Sequence, residues 1–180
     1  MTSSKQPPPS GVSLIDGSYA WLRLAVSVTL GTIGSVGFWG VIVTLPAVQA
    51  EFDVARGEAS IPYTLTMIGF AAGNILIGRY VDRFGIGIPM VIAALSMGIG
   101  FAGGALAGHI WIFAFLQGLF VGVGTAASFG PLIADVSHWF RQRRGVAVAL
   151  CACGNYFGGV IWPIVMQILI DSYGWRTTYI

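Results

Sequence analysis

Sixteen acidic and basic side chains are spread over 180 residues, so the groups able to do chemistry are few and stand apart. Three of them crowd into Gly78-Arg79-Tyr80-Val81-Asp82-Arg83-Phe84-Gly85, and Asp135 precedes a basic turn with Arg141, Arg143 and Arg144. Charges packed so tightly between two long apolar segments mark a place where the chain turns. Within the apolar stretches the notable groups are rings and amides: Phe38, Trp39, Asn74, Gln117, Asn155 and Tyr156. Rings stack on an organic solute, and amides hydrogen-bond to its polar end. The same groups also glue helices together in hydrocarbon, where each bond is worth about 1 kcal/mol. Their types alone leave pathway and glue both open.

The remaining reactive types point away from catalysis. Cys151 and Cys153 form a C-x-C whose sulfurs fall on different faces of a helix, which suits neither a zinc knuckle nor a CxxC redox pair. They read as small packing residues. His109 and His138 flank apolar segments with no partner that suggests a metal site, so neither metal nor cofactor is expected. Gly98-Ile-Gly100-Phe-Ala-Gly103 spells the dinucleotide fingerprint, but it has no preceding strand and no acid about 20 residues on. Close helix packing explains it better, and the same four-residue spacing recurs at Gly69 and Gly73, Gly100 and Gly104, Gly118 and Gly122, and Gly154 and Gly158. No nucleophile, base and orienting group fall together on one side, and an enzyme is not expected.

The elements that must position these residues follow from composition. With 56% apolar and 9% charged residues, and a mean hydropathy of +0.80, the chain has too little polar surface to cover a soluble domain. A net charge of +2 is too small and too dispersed for nucleic acid. About 20 apolar residues cross a bilayer as a helix, and five such stretches occur, near 24–45, 59–78, 88–106, 111–134 and 145–170. Residues 1–16 are polar, contain Pro7-Pro8-Pro9, and read as a disordered cytoplasmic tail; 17–180 form the membrane bundle, and Thr177 begins a sixth helix. The third span has one polar side chain, Ser96, and is expected to face lipid, whereas Gln117, Thr125 and Ser128 make the fourth face protein or water. Lys5, Arg23, Arg79, Arg83, Arg141, Arg143 and Arg144 fall on one side and Arg56 and Arg176 on the other, so the N-terminus is expected in the cytoplasm.

Short matches recur at about 90 residues: Trp21 with Trp111, Gly40 with Gly130, and Asp82-Arg-Phe-Gly85 with Asp171-Ser-Tyr-Gly174. Three spans separate the copies, so the second is inverted relative to the first.

With these residues placed, Gly78-x-x-x-Asp82-Arg83-x-Gly85 resembles the loop between helices two and three of the major facilitator superfamily. The resemblance implies that Asp82 and Arg83, between Gly78 and Gly85, brace an inner gate; Arg143 and Arg144 read first as topology determinants and second as gate partners for Asp135. Ile86 and Gly87 stand where the family has basic residues, which weakens that contact. Within the superfamily the chain is most similar to the monocarboxylate transporters and their oxalate/formate antiporter relatives. Asp16-Gly17-Ser18-Tyr19-Ala20-Trp21 resembles the signature opening their first helix, and Trp139-Phe140-x-x-Arg143-Arg144, Gly154-x-x-x-Gly158 and Gly174-Trp175-Arg176 follow their later ones. Gly37 occupies the position of the lysine found in proton-coupled members, and no proton-carrying residue is visible within the spans.

The resemblance implies an all-α integral membrane protein: five helices and the start of a sixth from a bundle of inverted three-helix repeats. Its implied role is alternating-access transport of small organic anions, in lipid, with the other half of a longer carrier, at the cell's inner (plasma) membrane. Phe38, Trp39, Asn74, Gln117, Asn155 and Tyr156 would line the path. The alternative is a non-transporting membrane protein acting only through helix contacts.

Overall fold

Five long rods, each apolar enough to cross a bilayer, carry the chain back and forth: α1 (Ser18–Phe52), α2 (Arg56–Phe84), α3 (Gly87–Ala105), α4 (Ile110–Trp139) and α5 (Arg144–Tyr173). A last turn, α6 (Trp175–Thr178), opens a sixth. The computed structural model describes residues 15–180, so most of the expected N-terminal tail lies outside the described residues. The helices outrun the apolar stretches read from the sequence. Helix α1 was expected to begin near Leu24 and instead runs from Ser18 to Phe52, taking in Arg23 and Glu51. Long charged side chains reach the interface from within a helix, so a charge does not end a span. The break between α3 and α4 falls at 106–109, as the Ala107-Gly108-His109 signal requires, and the His109 side chain accepts from the Trp111 backbone N–H to cap α4.

Two seams hold the bundle. In one, Gly154 and Gly158 of α5 lie against Val28, Thr32 and Ser35 of α1; in the other, Gly69 and Gly73 of α2 lie against Gly118, Gly122 and Val123 of α4. Exchanging α1 with α4 and α2 with α5 turns one seam into the other, which is the relation an inverted repeat demands. The approach is close: a methyl group at Gly69 would sit 1.9 Å from the Gly118 carbonyl oxygen. Helix α3 packs on α4, with Gly100 against Phe120 and Val121 and Gly124 against Ala93 and Met97. Helix α4 is accordingly the central rod, with 61% of its apolar stretch buried against 28% of α3. The burial of α4 fits its polar content, but α3, expected to face lipid, is more buried than α2 (22%) or α5 (17%) because its glycines pack on α4.

The repeat reaches down to single turns. Helix α2 ends at Gly85 (φ 73°, ψ 176°) and α5 at Gly174 (φ 80°, ψ 156°), and each glycine N–H donates to the carbonyl four residues back. Such angles are open almost only to glycine. Helices α1 and α4 are both interrupted in mid-course. Helix α1 turns at Ser35, while α4 widens into a π-helical turn over Gln117–Gly122 and loosens at Phe129 (φ −125°, ψ −82°) just before Pro131. Proline at that point removes an N–H that a straight helix would have used.

Candidate functional site

The polar groups collect at three depths: the face where α1 begins (the near face), the opposite face (the far face), and a middle layer between them. At the near face, Arg23 of α1 pairs with Asp135 of α4 at 3.2 Å, and its guanidinium lies 4.5 Å from the centre of the Trp139 ring. Asp16 locks the same two segments. Its N–H donates to the Trp139 carbonyl at 3.0 Å, and its carboxylate accepts the backbone N–H groups of Arg141 (3.2 Å) and Gln142 (3.3 Å). Edge-to-face pairs of Tyr19 with Trp139 and Trp21 with Phe140 complete a clasp between the start of α1 and the turn that leads into α5. Asp16, placed by the sequence in a tail, is thus part of the bundle's near face. A cavity of about 430 Å³ beside Arg23 and Asp135, walled by Ser27, Met90 and Leu132, leaves the pair half-buried.

The gate residues separate into two settings. Asp135 pairs with Arg23, while Arg144 donates to the Ser137 hydroxyl at 3.3 Å, so Asp135 is not joined to Arg143 or Arg144. Asp82 and Arg83 are exposed at the end of α2, with the Arg83 guanidinium over the Phe84 ring at 5.4 Å; open space surrounds Gly78 and Gly85. Among the described residues Arg79, Asp82, Arg83, Arg141 and Arg143 form no ion pair.

At the far face Asp53, Arg56 and Glu58 are exposed, and one pair of charges is engaged. Arg176 pairs with Glu51 at 2.7 Å and donates to the carbonyls of Ala105 and, at 2.8 Å, Ala107, closing the C-terminal end of α3. Trp175 donates its indole N–H to Glu51 and is buried against Phe113 and Tyr179. Cations at a helix C-terminus meet its negative dipole end, so Arg176 is held by charge and geometry together.

In the middle layer the six predicted path residues fall into separate groups. Phe38 meets Phe70 edge-on at 4.5 Å, Phe70 lies 6.2 Å from Phe129, and the Asn74 amide donates to the Phe70 carbonyl while its oxygen faces Gly130. Phe38 and Asn74 therefore share one aromatic wall built by α1, α2 and α4. Trp39, the next residue, turns to the other seam and donates its indole N–H to the Asn155 carbonyl at 3.3 Å. Tyr156 is exposed. Gln117 is fully buried toward the far face, bonded to the Tyr179 hydroxyl at 3.3 Å. Adjacent helix positions point about 100° apart, which is why Phe38 and Trp39 part company. The seam beside Trp39 also uses groups the sequence did not single out: Trp162 donates to the Thr32 carbonyl at 2.7 Å, and the Thr32 hydroxyl donates to the Gly154 carbonyl at 2.9 Å. A buried indole N–H always seeks an acceptor, and a mid-span tryptophan was the available signal.

The model of the Major Facilitator Superfamily matches residues 27–180. This chain belongs to the major facilitator superfamily. Within it, human monocarboxylate transporter 6 is 30% identical over 96% of the chain, and human monocarboxylate transporter 11 is 25% identical over 94%. The MFS-type transporter eupM of Phoma sp is 26% identical over 90%. The chain spans 34% of the first of these relatives, 36% of the second and 58% of the third. The major facilitator bundle is a multi-pass membrane fold, so the five rods cross lipid.

Proposed function

We propose that this chain is the N-terminal portion of a carrier that moves small organic anions, monocarboxylates among them, across the plasma (inner) membrane by alternating access. Its N-terminus and its near face lie in the cytoplasm, where Arg23, Arg79, Arg83, Arg141, Arg143 and Arg144 collect. The observation that carries the reading is the contrast between satisfied and waiting charges. Glu51 with Arg176 and Arg23 with Asp135 are paired within the chain, whereas Asp82 and Arg83, like Arg79, Arg141 and Arg143 at the same face, have no ionic partner among the described residues. An acid and an arginine displayed on a rigid glycine turn suit a contact that forms and breaks as another helical half rocks past. The aromatic wall of Phe38, Phe70 and Phe129 with Asn74 is uncharged, so this portion would hold the organic body of the solute and leave the carboxylate to cations elsewhere in the carrier. Similarity to two monocarboxylate transporters over nearly the whole chain supports that solute class.

Reconstituting the carrier in liposomes and measuring uptake of labelled pyruvate, lactate and oxalate tests the proposal. Saturable uptake that falls at least about tenfold in Asp82→Asn, with unchanged thermal stability, is the expected result. Folded protein that takes up none of these would overturn it in favour of a membrane protein acting through helix contacts alone.

A further inference from the structure

Helix α4 departs from α-helical pairing at Gln117, the first residue of the π-helical turn Gln117–Gly122. The Gln117 side chain is fully buried, and its amide nitrogen donates to the Tyr179 hydroxyl. Tyr179 thus serves the nitrogen end of the amide and leaves the oxygen end unserved. Among the described residues Gln117 Oε1 is the buried side-chain polar atom without a hydrogen-bond partner.

Its partner Tyr179 belongs to the apolar far-face core with Phe113, Trp175 and Met166. A bare amide oxygen in such surroundings is unfavourable, and in folded proteins such atoms are served by ordered water. Turning the amide over changes little, because its NH2 would then occupy the same place with Tyr179 donating to the oxygen, and a polar atom would still face that site.

We propose that Gln117 Oε1 binds one internal water molecule, which donates to it and extends the hydrogen bond that ties α4 to Tyr179 at the end of α6. The far-face core is then wet at one point. The inference concerns a hydration site and does not depend on what the carrier transports.

Radiolytic hydroxyl-radical footprinting of the intact protein in detergent, after soaking in 18O-labelled water, tests it, because radicals form where bound water sits. Tyr179 is 4% exposed and Phe140, in the near-face cluster, 2% exposed, so neither is modified appreciably from bulk solvent. Tyr179 is expected to be modified at least about fivefold faster than Phe140, with the label entering slowly. Gln117→Leu, and Gln117→Met as a second variant of similar length, should lower Tyr179 modification to the Phe140 level while circular dichroism stays helical. Tyr179 modified no faster than Phe140 in the wild-type protein would overturn the proposal, and that comparison stands even if neither variant folds. Unchanged modification in a folded Gln117→Leu protein would overturn it as well.

Discussion

The turns at Gly85 and Gly174 are nearly the same piece of backbone used for opposite ends. Both close a long helix with a glycine at φ 73° or 80° whose N–H returns to the carbonyl four residues back. Beyond Gly174 the chain plunges into contacts: Trp175 is buried, and Arg176 reaches Glu51 and the carbonyls at the end of α3. Before Gly85 the charges stay outside, with Asp82 and Arg83 exposed. The repeat therefore conserves a turn and not a role. One copy has become a structural lock inside this bundle, and the other presents its charges to whatever lies beyond it.

The largest effect that would sharpen this contrast is on Arg176. Arg176→Ala removes the donors to Ala105 and Ala107 and strands Glu51, so it should lower unfolding stability in detergent by about 3 kcal/mol. Equal losses from Arg176→Ala and Arg83→Ala would break the comparison. Next come the glycines themselves. Gly85→Ala and Gly174→Ala should each cost about 2 kcal/mol by the same thermal-unfolding measurement, because the strain is set by backbone angles the two turns share. A much smaller cost at Gly85 would mean that its turn simply relaxes.

The near-face clasp should rank third. Arg23 and Asp135 are half-buried, and a double-mutant cycle with Arg23→Gln and Asp135→Asn should return a coupling of about 1 kcal/mol. The smallest change is expected where the charges are exposed. Arg83→Ala should shift stability by less than about 0.5 kcal/mol while uptake by the carrier collapses. Retained uptake in that variant would remove the waiting-contact reading of the α2 turn.

Much of the bundle was legible because hydrocarbon is an exacting solvent. Runs without charge had to be spans, the glycine pairs had to be close contacts, and Gly69, Gly118, Gly154 and Gly158 are where the two seams lie. The ends of the rods were harder. Arg23 and Glu51 look like boundaries in a hydropathy reading, yet both belong to α1, since an interfacial charge costs a helix little. The site was less readable than the fold. Phe38 and Asn74 share one wall, but Gln117 sits in another layer, because it lies about two turns from the far-face end of α4, and the π turn that starts there rotates the residues after it by about 100° relative to a regular helix. No periodicity argument carried across 117–122 keeps its phase. The pairing of Asp135 with Arg23 joins residues 112 positions apart, and Asp16 acts through backbone N–H groups that carry no sequence signature at all.

The length of α1 has one more effect. Its 35 residues extend about 52 Å, well beyond the roughly 30 Å of hydrocarbon it must cross. A rod that long leans, and its lean responds to how thick the surrounding bilayer is. Arg23 near one tip and Glu51 near the other lie toward opposite headgroup layers, so thinning or thickening the lipid pulls on both ion pairs through one helix, with the turn at Ser35 as its point of give. Membrane composition thereby becomes a mechanical input to both ends of the protein at once.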